Sequence, residues 1–508
     1  MNIFKRAYTR IILLSLFAIA EVVGIFYLFR LFYYKVTWLE PVLALASVVI
    51  VLNIINHSKH LSQDLLWIVL VMLSPVLGTA IYLMLGANMF LSRTYRSIMQ
   101  EEKRAKEYYV QDQETMQDFS DDAPNMRGQV RYIAESAGYP IYRNTGFEYY
   151  PSGEAGLSDM LNELEKAEKF IFLEYFIIEE GVFWDAILCI LKKKVKEGVE
   201  VRVMYDDFGS ITTLNADYSE QLEKEGIKCV TFNRMNPVIN VIMNHRDHRK
   251  IMVIDGKVAF SGGINLADEY INRKTRFGYW KDNVFKVVGN AVWSYTVMFL
   301  TNWNALRHED ADYQTYKAPE TDDFDFDGYV APFGETPLDT ENTSQNIYLN
   351  IINQANDYVY IATPYLVIDT DMINSMILAA KRGVDVRIIT PGIPDKKIVY
   401  DVTRSYYDQL IEGGVRIYEY TPGFIHAKIV VSDDLVATVG TINLDYRSLY
   451  LHFENGTYMY DSGKILDIKK DVCDTLEVSH EVTDEEVIKR SVFYKLFVSF
   501  IKLFAPLL

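Results

Sequence analysis

An internal repeat constrains the fold of this chain more than any other feature of its sequence. The apolar, strand-like run 169–178 is matched by 358–367, and a helical stretch follows each of them. Further along, 196–205 matches 381–390. In both, a glycine ends the helix and an alternating valine-rich run begins the next strand. This alternation predicts two similar α/β lobes with mostly parallel sheets, packed about a pseudo-two-fold axis with equivalent loops face to face.

Each half of the repeat carries one copy of the same polar pattern. The first copy has His248, Lys250 and Asp255, followed by Gly263 and Asn265; the second has His426, Lys428 and Asp433, followed by Thr441 and Asn443. The residues after each lysine are strand-like, and residues two apart on a strand point to the same side. The histidine and lysine of each copy are therefore predicted to project together toward one pocket.

Two facing histidine–lysine pairs supply what the cleavage of a phosphodiester requires. One imidazole can attack phosphorus, while the other protonates the departing alcohol and then accepts the proton of the incoming hydroxyl. The lysines and the amides of Asn265 and Asn443 can hold the phosphate, the glycine at 263 lets the backbone approach closely, and Thr441 offers a hydroxyl. We expect this chemistry to need no metal and no cofactor.

An attacking histidine works best when a carboxylate holds its far nitrogen. Glu454 lies downstream of His426 in the second half and is the candidate to orient that ring. In the first half the comparable candidate is Asp282. His245 and His248 lack a third ligand at a convincing spacing, so these two histidines do not predict a metal site.

The first 92 residues are apolar at a density that soluble domains do not sustain. Three candidate membrane segments stand out, at 11–34, 38–55 and 65–85. Basic residues before the first and after the third place both flanks in the cytoplasm, which requires an even number of crossings. We therefore expect one segment to lie in the interface or to re-enter. At the other end, 490–508 mixes bulky apolar residues with lysines, which is typical of an amphipathic helix at a lipid surface or packed on a core.

The net charge of −17 argues against a nucleic-acid partner, because a phosphate backbone repels an acidic surface. The three cysteines are far apart and include no Cys-x-x-Cys pair, so neither a disulfide framework nor a thiolate metal site is predicted.

The paired motifs resemble the HKD motifs of the phospholipase D superfamily. The wider context, including 262–270, 363–365, 337–339, 453–455 and the apolar N-terminal segments, is similar to bacterial cardiolipin synthases over essentially the whole chain. This resemblance implies that a phosphatidyl group passes between two phosphatidylglycerol molecules through a phosphatidyl-histidine, giving cardiolipin and glycerol. It also implies that Asp255 and Asp433 are mainly structural, that Glu454 orients His426, and that the enzyme is a multi-pass protein of the bacterial cell membrane with its catalytic domain on the cytoplasmic side.

The resulting division of the chain begins with a membrane anchor at 1–92 and a charged connector at 93–127. The first phospholipase D-like lobe is predicted at 128–312, an acidic linker at 313–330, the second lobe at 331–470, and a tail with an amphipathic helix at 471–508.

Several alternatives remain open at this point. A hydrolytic phospholipase D differs only in the second step, in which water and not a lipid hydroxyl attacks the intermediate. Another phosphatidyltransferase of the superfamily could use a different donor lipid. A non-catalytic membrane scaffold is disfavoured because both motifs are complete. His248 is the preferred nucleophile and His426 the preferred acid and base, but the symmetry of the repeat also permits the reverse. The sequence does not indicate an oligomeric state.

Overall fold

The structure is a computed structural model that describes most of the chain after residue 92 and parts of it before. The described residues are 10–17, 19–20, 23–24, 27, 30, 39–57, 61–83, 93–235, 244–309, 311–320, 328–488, 492–502 and 504. Much of the predicted membrane segment 11–34, the first residue of 38–55 and the end of 65–85 lie outside them. Among the described residues, no helix combines the length and apolar composition needed to cross a membrane.

The first lobe is built on a seven-stranded sheet with the order β1-β8-β6-β5-β2-β3-β4. Its strands, with the short β7 that lies outside this sheet, are β1 (Thr145–Tyr150), β2 (Phe170–Tyr175), β3 (Glu200–Asp206), β4 (Lys228–Phe232), β5 (Lys250–Ile254), β6 (Val258–Gly262), β7 (Tyr279–Lys281) and β8 (Val284–Gly289). Alternate residues of β2 face different cores, because successive side chains on a strand point to opposite faces. Phe170 and Phe172 enter the central core, whereas Ile171 and Leu173 enter the outer core of this lobe.

The second lobe repeats this order in an eight-stranded sheet, β19-β13-β12-β10-β15-β16-β18-β9. Its strands are β9 (Tyr329–Glu335), β10 (Tyr358–Ala362), β11 (Leu366–Val367), β12 (Asp385–Pro391), β13 (Arg416–Tyr420), β14 (Gly423–Ile425), β15 (Ile429–Ser432), β16 (Val436–Gly440), β17 (Leu444–Asp445), β18 (Glu454–Tyr460) and β19 (Ser479–Glu481). Each strand of the first sheet has a counterpart in the second, and β19 is added at the edge. The repeated order confirms two similar α/β lobes.

The expectation of mostly parallel sheets is wrong. Only β2-β3 and β3-β4 are parallel in the first sheet, and only β10-β12 and β12-β13 in the second. The motif strands β5 and β15 each run antiparallel to both of their neighbours, and a short turn joins each of them to one neighbour, the strand that follows. The repeated helix–strand units occupy one half of each sheet, and antiparallel pairs occupy the other half.

Helices cover both faces of the sheets. Those before and within the first lobe are α1 (Leu39–His57), α2 (Leu61–Leu73), α3 (Pro75–Ile81), α4 (Arg93–Ala105), α5 (Gln113–Asp122), α6 (Arg127–Arg131), α7 (Gly153–Glu165), α8 (Val182–Lys196), α9 (Tyr218–Lys224) and α10 (Val292–Arg307). Those that follow are α11 (Thr343–Gln354), α12 (Thr370–Lys381), α13 (Lys397–Arg404), α14 (Tyr407–Glu412), α15 (Tyr446–Tyr450), α16 (Lys464–Glu477), α17 (Asp484–Ile488) and α18 (Val492–Lys502).

Two of these helices, α10 and α16, lie between the sheets and join the lobes. Buried residues of both helices share one core with the inner faces of the two sheets. Helix α10 is buried on nearly all sides, and α4 packs along it, with the Ser97 hydroxyl donating to the Ala305 carbonyl at 3.1 Å. The two lobes therefore share a continuous core, which holds their facing edges in a defined position.

Candidate active site

Two short backbone contacts connect the lobes beside the predicted histidines. Strand β14 pairs in parallel with β7, and the His426 N–H donates to the Lys281 carbonyl at 2.7 Å. In the equivalent contact Asp247 forms a parallel bridge with Phe453, and the His248 N–H donates to the Phe453 carbonyl at 2.8 Å. Each histidine is thus bonded to the residue that directly precedes a carboxylate of the other lobe.

As a result of these contacts, each histidine pairs with a carboxylate of the other lobe. Nδ1 of His248 lies 2.9 Å from both carboxylate oxygens of Glu454, and Nδ1 of His426 lies 2.7 Å from Oδ2 of Asp282. The expectation that Glu454 orients His426 and that Asp282 serves the first lobe is wrong, because each carboxylate sits at the lobe boundary beside the partner lobe's chain. In both pairs Nδ1 is engaged, which leaves Nε2 of each ring for chemistry.

Both histidines line a single cavity of about 410 Å³. Asn265 and Asn443 also line it, as do the cationic residues Arg246, Arg276, Lys396 and Arg447. The oxygen of the Asn265 amide accepts from the Ile177 N–H at 3.0 Å. Oδ1 of Asn443 is buried and has no hydrogen-bond partner among the described residues.

The two motif lysines are placed differently from the expectation. Lys250 and Lys428 are buried and are not among the residues that line the cavity. Nζ of Lys250 donates to the carbonyl of His248 at 2.7 Å, and Nζ of Lys428 donates to the carbonyl of His426. In this arrangement the lysines act on the site through their charge, and direct contact with a phosphate would require a local movement.

Burial controls the protonation of the site. Burial and the nearby lysine charges lower the pKa of His426 to about 4 and that of His248 well below its usual value. Burial also lowers the pKa of Lys250 to about 7 and that of Lys428 to about 8. Both imidazoles are therefore neutral near pH 7, as a nucleophile must be. A bound phosphodiester anion would offset the lysine charges and so favour a proton on one of the rings.

The motif aspartates lie outside the cavity and tie each motif strand to its neighbour. Asp255 accepts the backbone N–H groups of 168, 169 and 170, each at 2.8 Å. Asp433 accepts those of 356, 357 and 358 at 2.8, 3.0 and 2.9 Å. Both residues have positive φ at the turn after the motif strand. These contacts support a structural part for the aspartates.

Gly263 and Thr441 support the carboxylates, and neither lines the cavity as their prediction as phosphate-binding residues would require. The Thr441 hydroxyl donates to Oε2 of Glu454 at 2.5 Å. A Cβ at position 263 would lie 1.8 Å from Oδ1 of Asp282, so only glycine fits there. The cause is the same in both lobes. The N–H of the residue after β6, Gly263, donates to the carbonyl of the residue after Asp282 at 3.0 Å, and the Thr441 N–H donates to the carbonyl of the residue after Glu454 at 2.9 Å.

The two halves of the cavity differ in their walls. Around His426 the rings of Trp280, Tyr270 and Phe424 lie with centroids 5.4, 5.5 and 5.9 Å away. His248 is flanked by Phe176 at 5.0 Å and by His452 at 5.8 Å. His452 and Trp280 are equivalent, since each lies two residues before its carboxylate. The sequence reasoning missed both, although this shared spacing is the signal that could have found them.

Comparison with known proteins agrees with this site. A family described as "Cardiolipin synthase, PLD-like domain" matches residues 160–278 and 348–474, which contain both motifs. A "Cardiolipin synthase" of Alkalihalophilus pseudofirmus is 33% identical over 472 residues, covering 92% of this chain and 94% of that protein. The chain belongs to the cardiolipin synthase family of the phospholipase D superfamily. It is accordingly a phosphatidyltransferase enzyme that acts on phospholipids.

Two further proteins are similar to this chain. An uncharacterized protein of Streptococcus mutans is 46% identical over 459 residues, 90% of this chain and 99% of that protein. The crystal structure of phosphatidylserine synthase from Haemophilus influenzae has a TM-score of 0.57 and covers 75% of this chain and 100% of that one. Because the sequence identity is only 15%, that likeness shows the shared fold alone.

The crossed pairing makes a prediction for double-mutant cycles. His248→Ala and Glu454→Gln should be coupled by about 1–3 kcal/mol in unfolding free energy, because they remove the two ends of one buried contact. His248→Ala and Asp282→Asn, whose side chains form no hydrogen bond with each other, should be coupled more weakly. Chemical denaturation of the four variants of each cycle measures both couplings. A larger coupling for the pair from the same lobe would contradict the crossed arrangement.

Proposed function

We propose that this chain transfers a phosphatidyl group from one phosphatidylglycerol molecule to another, giving cardiolipin and glycerol. The observation that carries the proposal is the single cavity with two imidazoles, each held at Nδ1 by a carboxylate of the opposite lobe. Two such rings form a complementary nucleophile and acid, and membership of the cardiolipin synthase family names the substrate class.

In the first step Nε2 of His248 attacks the phosphorus of the donor lipid. A P–N bond forms, the P–O bond to the glycerol headgroup breaks, and a proton on Nε2 of His426 passes to the departing oxygen. The result is a phosphatidyl-histidine and free glycerol. The charges of Lys250 and Lys428 stabilise the negative charge on the non-bridging oxygens.

In the second step the headgroup of another phosphatidylglycerol enters. His426 takes the proton of its hydroxyl, the oxygen attacks phosphorus, and the P–N bond breaks with its electron pair returning to His248. These roles follow from the surroundings of the rings. Burial lowers the pKa of His426, but the charge and hydrogen bond of Asp282 act to raise it, which suits a group that carries a proton.

We place the enzyme at the bacterial cell membrane, with residues 1–92 as a multi-pass anchor and the catalytic lobes on the cytoplasmic side. The support comes from exposed apolar side chains. In α1, Val42, Leu45, Val48, Val49, Leu52 and Ile55 are all at least half exposed. In α18, Phe493, Leu496, Phe497 and Phe500 form one exposed face, and Tyr494 donates to Asp401 on the side that packs against the second lobe.

Replacement of either histidine tests the reaction. His248→Ala and His426→Ala should each reduce cardiolipin formation from phosphatidylglycerol vesicles by at least about a thousandfold, because each removes one of the two groups that act on the bond. His480→Ala is the matched control, since His480 is exposed and pairs with Glu486 at 3.0 Å. Products are identified by mass spectrometry and glycerol by enzymatic assay.

The outcomes of this assay separate the functions. Cardiolipin and glycerol in equal amounts support transfer, whereas phosphatidic acid as the sole product would show a hydrolytic phospholipase D. Normal rates in either histidine variant would refute the two-histidine mechanism.

The lowered lysine pKa values predict how headgroup binding depends on pH. Each lysine is charged below its pKa, about 7 for Lys250 and about 8 for Lys428, and loses that charge as the pH rises. The Kd for glycerophosphoglycerol, a diester whose charge is constant in this range, should rise at least about tenfold from pH 6 to pH 9. In Lys250→Met the remaining rise should centre near pH 8. Calorimetry measures Kd, and a flat profile would contradict the lysine role.

The apolar face of α18 predicts contact with lipid. A nitroxide attached at Phe497→Cys, in a background with the native cysteines replaced by serine, should be more accessible to oxygen than to a water-soluble nickel complex when the protein is in vesicles. A label at Leu378→Cys, which is similarly exposed but lies on α12, should show the opposite preference. Equal behaviour of the two labels in electron paramagnetic resonance would exclude lipid contact at α18.

A further inference from the structure

His452 is a buried imidazole in the cavity wall that the transfer mechanism does not use. Its side chain is only about a tenth exposed, and neither ring nitrogen has a hydrogen-bond partner in the described part of the chain. The nearest carboxylate oxygen, Oε1 of Glu454, is 3.8 Å from Nδ1, beyond hydrogen-bond length. Burying a polar group without a hydrogen-bond partner destabilises a protein, so a buried imidazole without a partner points to a ligand.

The neighbours of His452 complete a set of metal-binding groups. His248, His452 and Glu454 each offer one ligand atom, and these atoms lie within 4.8 Å of one another. Two imidazoles and one carboxylate are a donor set that Zn²⁺ takes when a fourth position stays open for water or substrate. Zinc–ligand bonds of about 2.0–2.2 Å require the three groups to move closer together. The ring of His452 can turn inward without breaking any hydrogen bond.

The other half of the cavity provides an internal comparison. His426 and Asp282 occupy the positions of His248 and Glu454, but the position of His452 is taken by Trp280, which has no lone pair to donate to a metal. The donor set therefore exists on one side of the pseudo-two-fold axis only, beside the histidine assigned as nucleophile.

We propose that His248, His452 and Glu454 form a binding site for Zn²⁺, and that an ion bound there inhibits the enzyme. The metal would take the lone pair of His248, so metal binding and attack on phosphorus would exclude one another. The inhibitory effect rests on the proposed role of His248 as nucleophile, whereas the binding of the ion does not.

Binding is tested on the full chain in detergent micelles by calorimetric titration with zinc chloride. Wild type should bind one ion per chain at this site, and His452→Asn and His452→Gln should each weaken that binding at least tenfold. His480→Asn, which alters an exposed histidine paired with a glutamate, should leave it unchanged. Circular dichroism verifies folding, and X-ray absorption should show two imidazoles per zinc in wild type and one in any zinc-loaded His452 variant.

Three results would overturn the binding proposal. These are unchanged affinity in both His452 variants, loss of the ion in His480→Asn, or a wild-type spectrum with fewer than two imidazoles per zinc.

Inhibition is measured separately, with each variant compared with its own rate in the presence of a chelator. The zinc concentration that halves cardiolipin formation should rise at least tenfold in His452→Asn and stay the same in His480→Asn. Zinc bound at His248 without loss of activity would overturn the inhibitory role and the assignment of His248 as nucleophile together. Normal transfer with no zinc binding would overturn the metal site and leave the proposed function standing.

Discussion

Two backbone hydrogen bonds between the lobes hold the site together. The N–H of His248 donates to the carbonyl before Glu454, and the N–H of His426 donates to the carbonyl before Asp282. Each bond places an imidazole beside the partner lobe's carboxylate, so neither lobe by itself contains an oriented histidine. The shared core around α10 and α16 holds the two lobes in a fixed relative position, and the chemistry of the site depends on that position.

Burial gives the site its reactivity. Lysine ammonium groups and imidazoles packed away from water hold protons weakly, which keeps the rings neutral and the cavity sensitive to an incoming anion. Pairing with a carboxylate counteracts this effect at His426. Asp282 is fully buried, and although burial acts to raise its pKa, the pairing with His426 keeps that pKa below the usual value.

The residues that surround the two histidines in the cavity wall differ. One histidine is surrounded by aromatic rings, while the other lies beside a third imidazole and near Arg246, whose position in the first lobe corresponds to Phe424 in the second. The internal repeat gives the two halves equivalent motifs, and divergence of a few wall residues distinguishes the two halves of the pocket. The same divergence brings three potential metal ligands together on one side only.

Sequence reasoning reached the two lobes, the paired motifs and the family, because a repeat of apolar runs and motif residues is encoded locally. It failed where partners come from elsewhere in the chain. The sheets were expected to be mostly parallel, but they contain antiparallel pairs. One reason is that a short turn, and not a helix, joins each motif strand to the strand that follows. Thr441 was expected at the phosphate, but its hydroxyl bonds to Glu454.

What the sequence determined by itself is which side chains recur and at what spacing: a histidine and a lysine on one strand, an aspartate at the following turn, and a carboxylate further on. Only the tertiary structure decided which carboxylate pairs with which histidine, which groups the two lysines contact, and that His452 lies beside His248. The physical reason is that these contacts join residues up to about two hundred positions apart across a lobe boundary, and local patterns carry no information about which edges of two packed sheets meet.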